Sequence, residues 1–346
     1  MLKIGILGFG RIGAEHASWI QQAGLAVSAV YDATPARREL ARQRGFDSLE
    51  APEALLTGHD LDAILIATPT AMHFEHAASA LHAGHHVMIE KPMTLDLPTA
   101  RQLVTLAEDR QRVLSVFHNR RWDLDYLTVC QAIRSGALGR VFNVESRLGQ
   151  WASCVGPAAR EYRPGWRNEA AFGGGGWYDW GSHFIDQLWR LMRPDRPVRV
   201  FAQMRANVWT RDCDDFARVC IDFAGGASSM VEINTTTTRP LPRWHVDGSC
   251  GSADSPFSLE FDTHRWAELT IAPIDHTPPR PAPLAAPGLS EPAIWRAFAD
   301  ACHARGAPAV TARSVLPTMA LLDAARQSAR EGRVVDLDAS LFDEND

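Results

Sequence analysis

The stretch KIGILGFGRIG, residues 3 to 13, sets an apolar run against three glycines spaced Gly-x-Gly-x-x-Gly at Gly8, Gly10 and Gly13. The run is apolar along its length rather than alternating, so it reads as a strand buried on both faces, and a segment of helical periodicity starts at Arg11. In a strand–turn–helix unit of this kind the first glycine permits a tight turn. The second lets a pyrophosphate approach the backbone, and the third lets helix and strand pack closely. The glycine pattern by itself is weak. Its flanking strand and helix, and an acid at the end of the second strand, give it weight.

That acid is Asp32, in VYDATPARR. A carboxylate there can hold the hydroxyls of an adenosine ribose, and it opposes a ribose phosphate, because two like unit charges about 4 Å apart cost about 4 kcal/mol at an effective dielectric near 20. NAD is therefore expected ahead of NADP. Arg37 and Arg38 pull the other way, since either can clamp a phosphate; their plain alternative is a solvated helix face.

Further apolar runs at 26–32, 62–69, 86–92 and 113–119 alternate with helical segments at 11–23, 35–44, 71–83 and 96–110. Residues 1–121 are thus expected to form a doubly wound α/β domain around a parallel sheet. Ligands of such sheets bind beyond the carboxyl ends of the strands. Thr68, Pro69, Thr70 and His73 follow one strand end, and Glu90 and Lys91 follow the next. With Gly8, Gly10, Arg11, Ile12, Gly13 and Asp32 they form the expected cofactor site. Lys91 can also stabilise negative charge developing on a substrate oxygen, although in isolation Glu90 and Lys91 read as an exposed charged turn.

After a helix near 123–136 the texture becomes β-rich, with connections too short for crossover helices beyond about residue 198. Residues 122–310 are expected to form an α+β domain with a mostly antiparallel sheet. The proline-rich stretch 273–292 reads as an irregular loop, and helices near 291–304 and 312–330 precede a short strand, RVVDL.

The 346 residues carry a net charge of −6 and 46% hydrophobic residues, the composition of an ordinary soluble protein with no basic field for nucleic acid or an anionic membrane. Six cysteines form no Cys-x-x-Cys pair, so reduced thiols in a cytoplasm are expected. No metal is expected: His82, His85 and His86 cluster without a spacing that guarantees a shared face, and the acids of RDCDD (211–215) read as the start of a strand.

One stretch remains: GGGGWYDWGSHF, residues 173–184, in which Asp179 and His183 stand four apart. Taken with GFGRIGAEHA and ATPTAMHFEHAASALHAGHHVMIEKPM, in that order, it resembles the glucose-fructose oxidoreductase/inositol dehydrogenase/rhizopine catabolism (Gfo/Idh/MocA) family over nearly the whole chain. The resemblance implies a Rossmann domain followed by a domain with a large open sheet that often mediates dimers or tetramers, so a homodimer or homotetramer is expected. Residues 311–346 would return towards the Rossmann domain. It also implies NAD(P)-dependent hydride transfer on sugars, polyols and related compounds. By position, Lys91 matches the family's catalytic lysine, and Asp179 and His183 match its acid and histidine.

The chemistry of alcohol oxidation fits these three residues. It needs a hydride acceptor, a base for the hydroxyl proton and a donor that stabilises oxygen charge. His183 suits the base, since an ordinary imidazole titrates near neutrality. Asp179 would hold the His183 ring or contact a second hydroxyl, or merely charge a helix start. Asn119, Arg121, Trp151 and Trp166 are candidate substrate residues, each with a structural alternative. Asp186 would support His183 or face solvent. The glycines 173–176 would let the backbone pass close to a ligand. The expected activity is a sugar or inositol dehydrogenase; the alternatives are NADPH-dependent reduction of a keto-sugar or other carbonyl compound, and a non-catalytic dinucleotide-binding sensor.

Overall fold

The computed structural model describes residues 2–57, 60–154, 165–258 and 260–343. The first half runs β1 (Lys3–Leu7), α1 (Arg11–Gln22), β2 (Ala26–Tyr31), α2 (Pro35–Gln43), β3 (Asp47–Ser48), α3 (Pro52–Thr57), β4 (Ala63–Ile66), α4 (His73–His82), β5 (His86–Ile89), α5 (Leu97–Asp109) and β6 (Leu114–Val116). These six strands form one parallel sheet in the order β3-β2-β1-β4-β5-β6, the doubly wound sheet read from the apolar runs. The two-residue β3 has no apolar run to betray it, and it extends the sheet by one strand beyond that reading. The order reverses between β1 and β4, so the loops after those strands open a crevice.

The second half adds α6 (Leu124–Arg134), β7 (Val141–Gly149), α7 (Ser182–Leu191), β8 (Pro197–Arg205), β9 (Phe216–Phe223), β10 (Ser228–Asn234), β11 (Trp244–Gly248) and β12 (Gly251–Asp254). Then come α8 (Thr263–Trp266), β13 (Thr270–Pro273), β14 (Arg280–Pro281), α9 (Glu291–Cys302), α10 (Leu316–Glu331) and β15 (Val335–Asp336). Nine strands make a sheet in the order β14-β13-β12-β11-β7-β10-β9-β8-β15, antiparallel except for the β7–β10 pair. Alternating burial along β8 and β9 leaves one face against α7 and α10 and the other open. β14 lies inside the stretch expected to be an irregular loop. The acidic stretch 211–215 is a turn, and β9 begins only at Phe216.

The C-terminal helices divide differently from the sequence boundaries. α9, placed in the 122–310 segment, packs Ile294, Trp295 and Phe298 into the Rossmann core with Ile4, Ile6, Ala17, Ile20 and Phe117. α10 lies across β8 and α7 and also touches α5, while β15 pairs with β8 at the edge of the large sheet. Asp323 of α10 accepts the Leu97 N–H at 2.6 Å, which ties it to the first domain. The tail therefore bridges both domains.

Trp295 is fully buried and donates its indole N–H to His16 Nδ1 at 3.0 Å. Removing so large a buried side chain costs about 3–5 kcal/mol. A Trp295→Ala variant is expected to lose stability of that order in urea unfolding; a loss under about 1 kcal/mol would show that α9 contributes little to this core.

Candidate active site

A cavity of about 390 Å³ runs along the strand ends, lined by Gly8, Gly10, Arg11, Ile12, Asp32, Thr68 and Pro69 among others, with Trp166 and Arg167 on its far wall. Gly8 turns with φ +99°, and a side chain at Gly13 would sit 2.0 Å from the Gly8 carbonyl oxygen. By contrast, a Cβ at Gly10 would meet nothing within 4 Å, and α1 starts there with no side-chain cap. Uncapped N–H groups facing open space suit a pyrophosphate, so these residues fit a dinucleotide.

Asp32 is fixed rather than loose: Oδ2 accepts from Phe9 N at 2.7 Å and Oδ1 from Thr34 N at 2.8 Å. Each oxygen keeps a lone pair for a ribose hydroxyl. Arg38 donates to the Asp32 carbonyl and pairs with Glu50. Of the two readings left open for Arg37, a phosphate clamp or a solvated helix face, the second does not hold: Arg37 is buried and lines the groove beside Asp32.

Beyond Ile12, Thr68 and Trp166 the groove continues into a smaller pocket bounded by Thr70, His73, Glu90, Lys91, Gly173 to Gly175, Tyr178 and Asp179. Here the two domains meet. Lys91 Nζ donates to the Asp179 carbonyl at 2.6 Å and to Asp179 Oδ1 at 3.0 Å, and Arg167 Nε lies 3.5 Å from the same oxygen. Burial opposes ionisation of Asp179, but Lys91 and Arg167 outweigh it and hold the carboxyl below its usual range.

Neither Glu90 nor Lys91 is an exposed turn. Glu90 is buried and bonds His16 Nε2 at 2.8 Å, while its second oxygen accepts from Lys91 N at 3.1 Å. Because Trp295 is a donor at Nδ1, the His16 proton sits on Nε2 and points at Glu90. His73 is buried with one ring nitrogen 2.9 Å from Pro92 O and the other 2.9 Å from Thr68 O. The neutral ring donates to one of these carbonyls and fastens the two strand-end loops together, and the side chain lines the smaller pocket.

Residues 2–118 match a family model described as an oxidoreductase family with an NAD-binding Rossmann fold, and residues 126–254 match the GFO/IDH/MocA C-terminal domain. The chain belongs to the Gfo/Idh/MocA oxidoreductases. It is 36% identical over 213 residues to the oxidoreductase YdgJ of Escherichia coli K12, covering 61% of this chain and only 60% of that protein's length. It is 27% identical over 254 residues to scyllo-inositol 2-dehydrogenase (NADP(+)) IolW of Bacillus subtilis, covering 72% and 68%. Among solved structures, an NAD-binding protein from Listeria innocua superposes with a TM-score of 0.85 at 30% identity, with 97% of each chain covered.

In this Gfo/Idh/MocA chain the glycine run is shaped by protein contacts. Gly175 has φ +110°, and a Cβ there would lie 2.4 Å from Asp214 Oδ1. Asp214 Oδ2 accepts from Trp177 N at 2.7 Å, and its carbonyl accepts from Gly176 N at 2.8 Å. Burial pushes the Asp214 carboxyl up to about 7. Its neighbour Asp215 accepts from three backbone N–H groups, of Asn207, Val208 and Trp209. These two acids of RDCDD thus organise the wall of the site.

Residues Trp177–Gly181 form a π-helical turn that leads into α7. The insertion breaks the four-residue spacing that would have placed Asp179 and His183 on one α-helical face. Gly181 is required there because a Cβ would collide with the Trp177 indole at 2.4 Å. Among the described hydrogen bonds Asp179 serves Lys91, not the His183 ring. His183 is buried, and its Nδ1 has no partner among the described residues. Burial, reinforced by the charge of Lys91, lowers its pKa well below the ordinary 6.5.

The substrate candidates fare unequally. Trp166 lines both parts of the groove, under the Arg167 guanidinium. Arg121 is instead bound by Asp186, with Nε to Oδ2 at 2.8 Å and Nη2 to Oδ1 at 2.9 Å. Asp186 does not face solvent; Thr318 also donates to it, and these partners overcome the burial that opposes its charge. Asn119 donates to Glu291 at 3.4 Å. Trp151 is 53% exposed and packs edge-on against Trp209. Much of the 151–172 loop, residues 155–164, lies outside the described residues.

Sequence reasoning missed His118, the penultimate residue of the run VLSVFHN. It is buried against His183, ring centroids 5.6 Å apart and planes at 86°. Neither of its nitrogens has a partner among the described residues, an arrangement that costs about 1–3 kcal/mol for each unsatisfied group. Burial pushes its pKa down to about 4.

Substituting the two helix-start glycines separates cofactor fit from packing. Gly10→Val is expected to weaken NADH binding, followed by fluorescence titration, by at least about tenfold while the melting temperature holds. Gly13→Val is expected to lower the melting temperature as well. Unchanged NADH affinity in Gly10→Val would remove the pyrophosphate from this turn.

Proposed function

We propose that the chain is an NAD(P)-dependent dehydrogenase that moves hydride between nicotinamide and a secondary alcohol or ketone of a sugar, inositol or related polyol, with NAD preferred. The observation that carries this reading is the Lys91 ammonium, clamped to Asp179 where the dinucleotide groove narrows. A bound nicotinamide supplies the hydride acceptor or donor. Lys91 has three N–H groups and gives two to Asp179, which leaves one for a substrate oxygen. There it stabilises developing alkoxide charge at a largely buried position.

His183 takes the hydroxyl proton. Its lowered pKa keeps the ring unprotonated, and so able to accept a proton, at neutral pH. Asp179 holds Lys91 in place and keeps an oxygen, Oδ2, for a second hydroxyl. The named activity of IolW supports a polyhydroxylated substrate. NAD is preferred because Asp32 is anchored by two backbone N–H groups and cannot easily turn from a ribose phosphate. Arg37, buried beside Asp32, favours the second reading, NADPH-dependent reduction of a keto-sugar or other carbonyl compound. A sensor without turnover has no chemical use for Lys91, Asp179 and His183 together. The expected dimer or tetramer would assemble through the open face of the large sheet, where Phe142 and Phe201 are exposed.

The test is a screen of cyclitols, aldoses and their keto forms with both cofactors. With a substrate in hand, Lys91→Ala and His183→Ala are each expected to lower kcat/KM by about 10² or more; unchanged turnover in either would defeat the mechanism. The acidic limb of kcat/KM for oxidation is expected below pH 6.5, since only the neutral ring accepts the proton and burial lowers its pKa. A limb at or above that value would exclude His183 as the base.

A further inference from the structure

For His183 Nε2 to act as base, the neutral ring must carry its proton on Nδ1, the atom left without an acceptor. Among the described residues no carboxylate is hydrogen-bonded to that nitrogen: Asp179 is taken by Lys91, and Asp186 by Arg121 and Thr318. The ring that does lie against His183 is His118, and both of its nitrogens are unpartnered among the described residues. Two imidazoles joined nitrogen to nitrogen at about 3 Å have centroids roughly 5 Å apart. At 5.6 Å the pair is within a side-chain rotation of that bond, and perpendicular planes are compatible with it.

We infer that His118 is a positioning residue for His183, accepting a hydrogen bond from its Nδ1–H as His183 takes the substrate proton. This inference rests on the dehydrogenase reading above. In the oxidation a bound nicotinamide would accept the hydride released as the substrate C–H bond breaks, and the O–H bond breaks with its proton passing to His183 Nε2. No proton moves to His118, which stays neutral and serves as the acceptor that an acid serves in a carboxylate–histidine pair. The proton on His183 leaves to water after the product departs.

The surroundings allow that neutral role. Lys91 faces the pair from the end of β5, Arg120 and Arg121 from the turn after β6, and Asp186 and Arg190 from α7. Cations outnumber the anion, and burial adds to them, so His118 remains unprotonated where His183 must gain a proton.

The experiment compares wild type with His118→Phe, which keeps a ring against His183 without nitrogens, and His118→Gln, which restores an acceptor. The His183 ring is titrated by ¹⁵N NMR in the NADH complex, and steady-state kinetics are run with a polyol that the wild type oxidises. His118→Phe is expected to lower kcat by about tenfold or more with KM within about threefold, and to make His183 titrate about one pH unit lower. His118→Gln is expected to recover most of both. An unchanged kcat and titration in His118→Phe, a titration that moves upward, or no recovery in His118→Gln would overturn the inference. A wild type that binds NADH yet turns over no polyol or keto-sugar would defeat the dehydrogenase reading itself, and the inference with it.

Discussion

The contact between the Lys91 ammonium and Asp179 is the point at which the two domains become one site. Neither partner could be kept alone, because a half-buried charge without its counter-ion is costly. The pair therefore demands that a loop at the end of a parallel strand and a turn leading into a helix of another domain meet within hydrogen-bonding distance. Much of the surrounding structure serves that demand. On one side, Trp295, His16 and Glu90 hold the backbone that bears Lys91, and His73 ties it to the neighbouring loop. On the other, Asp214 fixes the glycine run, and the Tyr178 hydroxyl bonds Leu95 O at 2.6 Å.

What the sequence disclosed follows from where the physics is local. Apolar strands and the glycine turn are properties of a few neighbouring residues, so the parallel sheet and the glycine turn at its first strand end were legible. Partnerships across long separations were not. Nothing near Arg121 announces that Asp186 will claim it, and nothing near Glu90 points to Trp295, some two hundred residues on. The acids of RDCDD looked like polar strand residues because their partners are backbone amides, which carry no sequence signal. The π-helical turn was invisible for a similar reason: Asp179 and His183 have ideal α-helical spacing, and only the collapse of Gly181 onto Trp177 shows why the chain departs from it. His118 escaped notice because a histidine at a strand end is ordinary until its nitrogens prove to lack partners.

The electrostatic design of the site is uneven. Asp179 and Asp186 are each met by cations, and Lys91, Arg167 and Arg121 are committed to them. Among the described residues, His183 Nδ1 and both nitrogens of His118 are left without a partner. Such a contrast keeps these two acids charged and these two histidines neutral, the combination suited to a group that must accept a proton without holding it for long.

The packing of α9 into the Rossmann core has a consequence for how the protein comes into being. β6 ends at Val116, whereas α9 begins at Glu291, so the ribosome must add roughly 170 residues before the first domain can be completed, on the order of ten to thirty seconds. During that interval the α1 surface that receives Ile294, Trp295 and Phe298 stands uncovered, an apolar face on a nascent chain. The Rossmann domain, first to be synthesised, is thus among the last parts to be finished, and holdase chaperones have a defined surface and a defined time in which to act.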